Sequence, residues 1–366
     1  MSYLRLLFLL TVGLLLGVSP TLAANYAVGT CKPSLPSYAT ISAAVSTVPT
    51  GSTVLVCPGT YPEQVTIAQP LIIKGITSGN AGQAVITVPG SALAVVTDGF
   101  GAAIAAMVNV TSGPVNISDI TVDGTGTTVG GGPTWLVGIL YNDGSSGTVN
   151  EVTVRNLSNS GYTAGAWAEN SNATSESVTI ENSSFHDIDN SAVLTEGSTL
   201  FATVKGNTME TSNEVVLWFS AGSLTANVIN GGFEGIVVGT PITVSGNTVR
   251  NTNIGIEAFN GVTVTSNKIS NAGDGIYDDG GGNTYKSNTI TKVDVGIEFN
   301  CNSATVTSNT INDATTGFEG VPSSFSGANS FNNVVTLRTD GCESGPIHKS
   351  KFPAAPHSGP IPAPAH

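Results

Sequence analysis

The stretch Thr263-Val264-Thr265-Ser266-Asn267-Lys268-Ile269-Ser270-Asn271-Ala272-Gly273-Asp274-Gly275-Ile276-Tyr277-Asp278-Asp279 decides the fold, because it is one of six consecutive copies of one pattern between Thr203 and Phe318. The copies are marked by Asn207, Asn227, Asn247, Asn267, Asn288 and Asn309, at spacings of 20, 20, 20, 21 and 21. A unit this short cannot bury its apolar side chains alone, so it implies stacked coils. Three residues before each asparagine stands Val204, Leu224, Val244, Val264, Tyr285 or Val306, flanked by Thr, Ser or Lys. That alternation is a strand with one side chain inward. Two residues after the asparagine comes Met209, Ile229, Val249, Ile269, Ile290 or Ile311, and Gly235-Ile236, Gly255-Ile256, Gly275-Ile276, Gly296-Ile297 and Gly317-Phe318 announce a third strand. The expected fold is all-β, a parallel β-helix of three-strand coils. Asparagine is expected to take the left-handed conformation at one corner and to bond its own copy about 4.8 Å along the axis.

This register resembles the pectate-lyase-like superfamily of right-handed parallel β-helices, over roughly Ser37 to Asn332. The resemblance, together with the right-handed rule for parallel crossovers, implies the handedness. The run Thr53–Val56, Gly59–Glu63, Val65–Ile67 and Leu71–Gly75 looks like the first coil of pectin methylesterases and of secreted β-helix proteins more widely. Catalytic motifs of the superfamily do not transfer. Of the polygalacturonase set only Asp278-Asp279 is present, and the methylesterase Asp-Phe-Ile-Phe-Gly and Leu-Gly-Arg-Pro-Trp are missing. Pectate lyases use a basic residue beside calcium-bound aspartates, for which Lys286 and Arg250 are the candidates.

Around the repeat, residues 1–23 read as a secretory signal, with Arg5, the apolar run Leu6 to Val18 and Thr21-Leu22-Ala23 as a cleavage site. Residues 24–343 are the expected β-helix domain and 344–366 a proline-rich, disordered tail. The expected location is therefore secreted, extracellular or periplasmic, without membrane insertion. Ile41, Ala44, Val45 and Val48 at helical spacing predict a short helix over Ser37–Val48 that covers the first coil. Four cysteines in an exported chain suggest two disulfides, Cys31 with Cys57 and Cys301 with Cys342. Asp123 to Pro133 interrupts the stack as an insertion.

With 12 basic and 25 acidic residues the full chain carries −13; removing Arg5 leaves 11 against 25, or −14. Nucleic acid, whose phosphates need clustered Lys and Arg, is excluded as a partner. A polysaccharide or glycan surface is the expected one. The residues after each Gly-Ile pair form an outward row, Leu140, Trp167, Leu194, a coil near Trp218, then Val237, Glu257, Tyr277, Glu298 and Glu319. Two positions on stand Asn142, Glu169, Glu196, Gly239, Phe259, Asp279 and Asn300. Rings, acids and amides in one strip suit sugars, and Trp167, Glu169, Glu196, Phe259, Tyr277 and Asn300 are the expected substrate contacts. Glu257, Asp279 and Glu298 are the catalytic candidates, at a separation of about 8 Å that fits inverting glycosidases. Asp274 and Asp278 are candidates for calcium, a hard ion that takes oxygen ligands; no other cofactor is implied.

Three function classes follow. The first is a non-enzymatic protein of the cell exterior or envelope that recognises carbohydrate. The second is an inverting glycoside hydrolase, and the third a calcium-dependent lyase. A flat threonine array at 203–305 of the kind that orders ice is a rival from another class, interrupted by Lys205 and Lys286.

Overall fold

The structure, a computed structural model, describes residues 23–77, 82–127, 134–300, 303–321 and 327–340. The signal segment up to residue 22, the Cys301–Cys342 pairing, residues 128–133 of the insertion and the tail 344–366 lie outside the described residues.

Three parallel stacks of short strands wind around one apolar core. The first stack runs from Asn25–Val28 and Thr53–Val56 to Ala304–Thr307. The second runs from Gly59–Pro62 to 330–332, and the third from Val65–Ile67 to 336–340. Val96–Thr97, paired antiparallel with Ala103 and Ile104, is the exception to parallel pairing among the described strands. Ile236, Ile256, Ile276 and Ile297 stack in register and are fully buried. The glycine before each of these isoleucines is forced by close approach. A Cβ on Gly255 would meet the Gly275 carbonyl oxygen at 2.4 Å, and one on Gly275 the Gly296 carbonyl oxygen at 2.5 Å.

The asparagine ladder forms as expected, with a different division of labour at the corner. Both the backbone N–H and the side-chain Nδ2 of Asn227 donate to Oδ1 of Asn247, at 2.9 and 3.0 Å, and Asn247 repeats this onto Asn267. The left-handed residue is the one before the asparagine, namely Gly206, Ala226, Gly246, Ser266, Ser287 or Ser308. The ladder residue itself keeps an ordinary backbone, which aims its amide along the axis. Asn329 extends the ladder by one rung.

The helix is shorter than its apolar spacing predicts, Ile41–Thr47. Thr40 caps it by accepting from the Ala43 N–H at 3.1 Å, while the Glu63 carboxylate accepts from the N–H groups of Ile41 and Ser42 at 2.8 Å each. Ser37–Tyr38, expected as its first turn, is instead a strand beside Ala27 and Val28. Ile41, Ala44 and Val45 join the core. Cys31 and Cys57 are disulfide-bonded, with Cα atoms 5.7 Å apart, and tie this end of the stack together.

Candidate active site on the third stack

The outward row of the third stack is continuous in the structure. Val237 pairs with Glu257, Glu257 with Tyr277, Tyr277 with Glu298 and Glu298 with Glu319. In the coil left open near Trp218, the backbone partner of Val237 is Leu217. Trp218 points inward and is fully buried, its Nε1–H donating to the Ser220 carbonyl at 2.7 Å.

The amino-terminal half of the strip is covered. Trp167, 2 % exposed, lies in a second apolar cluster with Leu140, Ala164 and Leu194, on which Val96, Ala102 and Trp135 pack. Glu169 is 1 % exposed. Burial, followed by the charge of Asp98, pushes its carboxyl up to about 8. Trp167 and Glu169 are thus not surface contacts for a sugar. The pattern of one strand cannot reveal this cover, because Val96 and Ala102 come from a connection two coils earlier. Glu196 remains half-buried beside Asp98, its carboxyl also raised, first by burial.

The carboxyl-terminal half is open. Glu257, Phe259, Tyr277, Asp279 and Glu298 are half-buried and Asn300 is exposed, donating to Asp279 Oδ1 at 2.9 Å. The structure adds a row that the Gly-Ile reading missed. Ser191 sits beside Ala164; Glu214 pairs with Glu234, Glu234 with Ile254 and Ile254 with Asp274. Its signal in the sequence is the position just before the glycine, as in Glu234-Gly235-Ile236. The glycine breaks the strict alternation, so this position faces away from the core; Ser191, Glu214, Ile254 and Asp274 are nevertheless buried, and Glu234 is half-buried.

Glu234 and Glu257 meet from adjacent rungs through a hydrogen bond between their carboxyls. Burial, then the charges of Glu257 and Glu214, pushes Glu234 up to about 9. Burial and then the charge of Asp279 lift Glu257 to about 7, while the proton offered by Glu234 opposes the rise. Desolvation and like charge both favour the neutral carboxyl, and the pair keeps one proton between two oxygens. Next to the pair, Tyr162 contacts the Ser191 hydroxyl, and its phenol is raised by burial and then by Glu214. The Tyr162 ring lies 4.2 Å from that of Trp135. Tyr277 is pushed up to about 12 by burial and then by Asp279, Glu298 and Glu257.

Asp274 and Asp278 do not form a joint cation site. Asp274 belongs to the outward row and acts on Tyr277, whereas Asp278 points into the core, accepting from Asn283 Nδ2 at 2.5 Å and from the Tyr285 hydroxyl at 2.7 Å. Among the described residues no three acidic, histidine or cysteine side chains are grouped to hold a metal. Lys286 lies on the first stack and Arg250 on the second, so neither candidate lyase base faces the acids. Cavities of about 380 and 350 Å³ lie elsewhere, one around Val293 and Ala314 and one around Asp187 and Glu210. Among the described residues no helix is long and apolar enough to cross a membrane.

Residues 137–290 match the family described as "Right handed beta helix region". A search of curated proteins found no match. Among solved structures the chain is similar to a GH136 lacto-N-biosidase from Eubacterium ramulus, at 10 % identity and a TM-score of 0.53, covering 86 % of this chain and 68 % of that one. It is also similar to a mannuronan C-5 epimerase A-module from Azotobacter vinelandii (17 % identity, TM-score 0.45, 78 % and 91 % covered). An exopolygalacturonase from Thermotoga maritima matches at 12 % identity, with a TM-score of 0.43 and 78 % and 84 % covered.

Proposed function

Taking the chain as a right-handed parallel β-helix with one lateral face half covered and half open, we propose that it binds a polysaccharide along the open half of the third stack and cleaves glycosidic bonds there with Glu234 and Glu257. Glu234, held protonated by burial and by Glu257 and Glu214, gives its proton to the departing sugar oxygen. Glu257 takes a proton from the attacking water, whose oxygen bonds to the anomeric carbon as the old carbon–oxygen bond breaks. The hydrogen bond between the two then returns the proton from Glu257 to Glu234. Hydrogen-bonded oxygens stand closer than the roughly 6.5–9.5 Å of inverting pairs, so this step requires the two carboxyls to separate and admit the water.

One observation carries this reading: two half-buried carboxyls meet from adjacent rungs of the open face, where burial and like charge both favour the neutral form. Rings and amides alone support recognition without turnover, the reading the sequence favours. The close pair of acids on the open face is what a cleaving site needs and a recognition surface does not, and this favours cleavage. Support for a glycan comes from Phe259, Tyr277 and Asn300 beside the pair and, by analogy of fold alone, from the lacto-N-biosidase. Secretion fits the disulfide between Cys31 and Cys57.

The test is release of reducing ends from a panel of polysaccharides. Wild type is expected to release them, with Glu234→Gln and Glu257→Gln each losing about 10²-fold or more while still binding. Binding with no release by wild type returns the protein to the recognition class.

A further inference from the structure

We infer that the polymer recognised by this strip carries protonated amino groups, as a glucosamine-type polysaccharide does, and no carboxylates; the inference rests on reading the third stack as a glycan site. Charge is segregated around the helix. On the outward rows of the third stack between Ser191 and Glu319, the ionisable side chains include Glu214, Glu257, Asp279, Glu298 and Glu319, and none is Lys or Arg. Of the basic residues of the same coils, Lys205 and Lys286 stand on the first stack, Arg250 and Lys268 on the second, and Lys292 at the bend that leads from the second stack to the third.

A face lined by one sign concentrates ligands of the other and repels its own. A uronate chain laid along the third stack between Ser191 and Glu319 meets an acidic side chain at nearly every coil, and meets a cation, Arg338, only on the closing coil beside Phe318. An amino-sugar chain meets a partner at the same interval. The aromatic rings agree with this assignment. Phe259 and Tyr277 stand among the acids on successive rungs, where a ring face adds attraction for an ammonium group. The elevation of the Tyr277 phenol by burial and by Asp279, Glu298 and Glu257 registers the same negative field from within the site. A bound ammonium in turn lowers the proton affinity of Glu257, which helps that side chain serve as a base in mildly acid solution.

The test compares three soluble polymers in mildly acid buffer at low and high salt, using calorimetry: a partly deacetylated glucosamine polymer, its fully N-acetylated counterpart and a polyuronate. The deacetylated polymer is expected to bind at least about tenfold more tightly than the acetylated one, with the advantage shrinking as salt rises. The double variant Asp279→Asn, Glu298→Gln is expected to erase most of that advantage. The variant Asp187→Asn, Glu210→Gln, on the second stack, leaves it intact. Equal binding of the acetylated and deacetylated polymers, binding of the polyuronate, or an equal loss in the second-stack variant overturns the inference while the glycan site stands. If none of the three polymers nor any neutral glycan binds, the glycan reading itself falls.

Discussion

Glu234 and Glu257 meet across the gap between two successive rungs of the open face, and the carboxyls of both are raised. Both are raised by burial first, yet they part company in their neighbours. Glu234 feels Glu257 and Glu214, whereas Glu257 feels Asp279 and is partly relieved by the hydrogen bond it receives.

The consequence for pH is a bell-shaped profile. The base works ionised and the acid protonated, and burial and like charge raise both carboxyls above the usual carboxylate range, so activity grows with pH as the pair loses its first proton and falls again as it loses its second. Glu234→Gln is expected to leave a small residual rate that lacks the alkaline limb. Measuring kcat/KM against pH for both proteins checks this, and an unchanged alkaline limb in the variant removes Glu234 from the role of acid.

Asp278 predicts a second pH effect, on stability. Burial raises its carboxyl from 3.8 to about 6, although the hydrogen bonds from Asn283 and Tyr285 oppose the rise. The folded state then holds the proton more tightly than the unfolded chain, so stability is full below about pH 4 and is lost as pH climbs through about 6. A shift of this size corresponds to roughly 3 kcal/mol. Asp278→Asn keeps an acceptor for Tyr285 and carries no charge. Urea unfolding at pH 4 and pH 7 is expected to show wild type weaker at pH 7, and Asp278→Asn to narrow that difference by about 3 kcal/mol, leaving the part that the raised carboxyls of Glu169, Glu234 and Glu257 contribute.

The ladder makes a position-dependent prediction. Asn247 accepts from the N–H and Nδ2 of Asn227 and donates to the Leu224 carbonyl and Asn267 Oδ1, all buried. Asn247→Ala strands those partners, and the expected cost is about 3–5 kcal/mol, several buried groups at about 1–3 kcal/mol each with partial relaxation. Asn329→Ala, at the partly exposed end, is expected to cost much less, since water reaches its partners. Equal losses in urea unfolding at both positions contradict the ladder as a source of stability.

Gly275→Ala tests the close approach of rungs. The added methyl falls 2.5 Å from both the Gly296 carbonyl oxygen and Ile290 Cγ2, neither of which can yield without moving the next coil. The expected result is a loss of at least about 3 kcal/mol, from overpacking against backbone. Gly282→Ala is a useful contrast: no atom crowds its Cβ, and only its positive φ of 76° resists the change. The ordering of the two variants in thermal or urea unfolding checks the argument.

Much of the molecule was legible in its residues, and the rest was hidden for identifiable reasons. The inward column Ile236, Ile256, Ile276 and Ile297 and the outward row Val237, Glu257, Tyr277 and Glu298 follow from a period of 20 or 21 and strict alternation, and the structure reproduces both. Alternation also places Asp278 inward, since it follows the outward Tyr277, and its pairing with Asp274 as a cation site ignored that parity. The disulfide between Cys31 and Cys57 was expected from their proximity in the sequence, and the structure forms it.

What the sequence by itself determined is the coil, because stacking repeats local contacts and each rung is written in its own twenty residues. What only the tertiary structure decided is which part of the strip is open and which acids touch. Val96 and Ala102 reach Trp167's neighbourhood from a distant coil, and Glu234 joins Glu257 because a glycine breaks the alternation between them and the two rungs stack. Cover and proton sharing depend on contacts between segments far apart in the chain, and no periodicity within a segment encodes them.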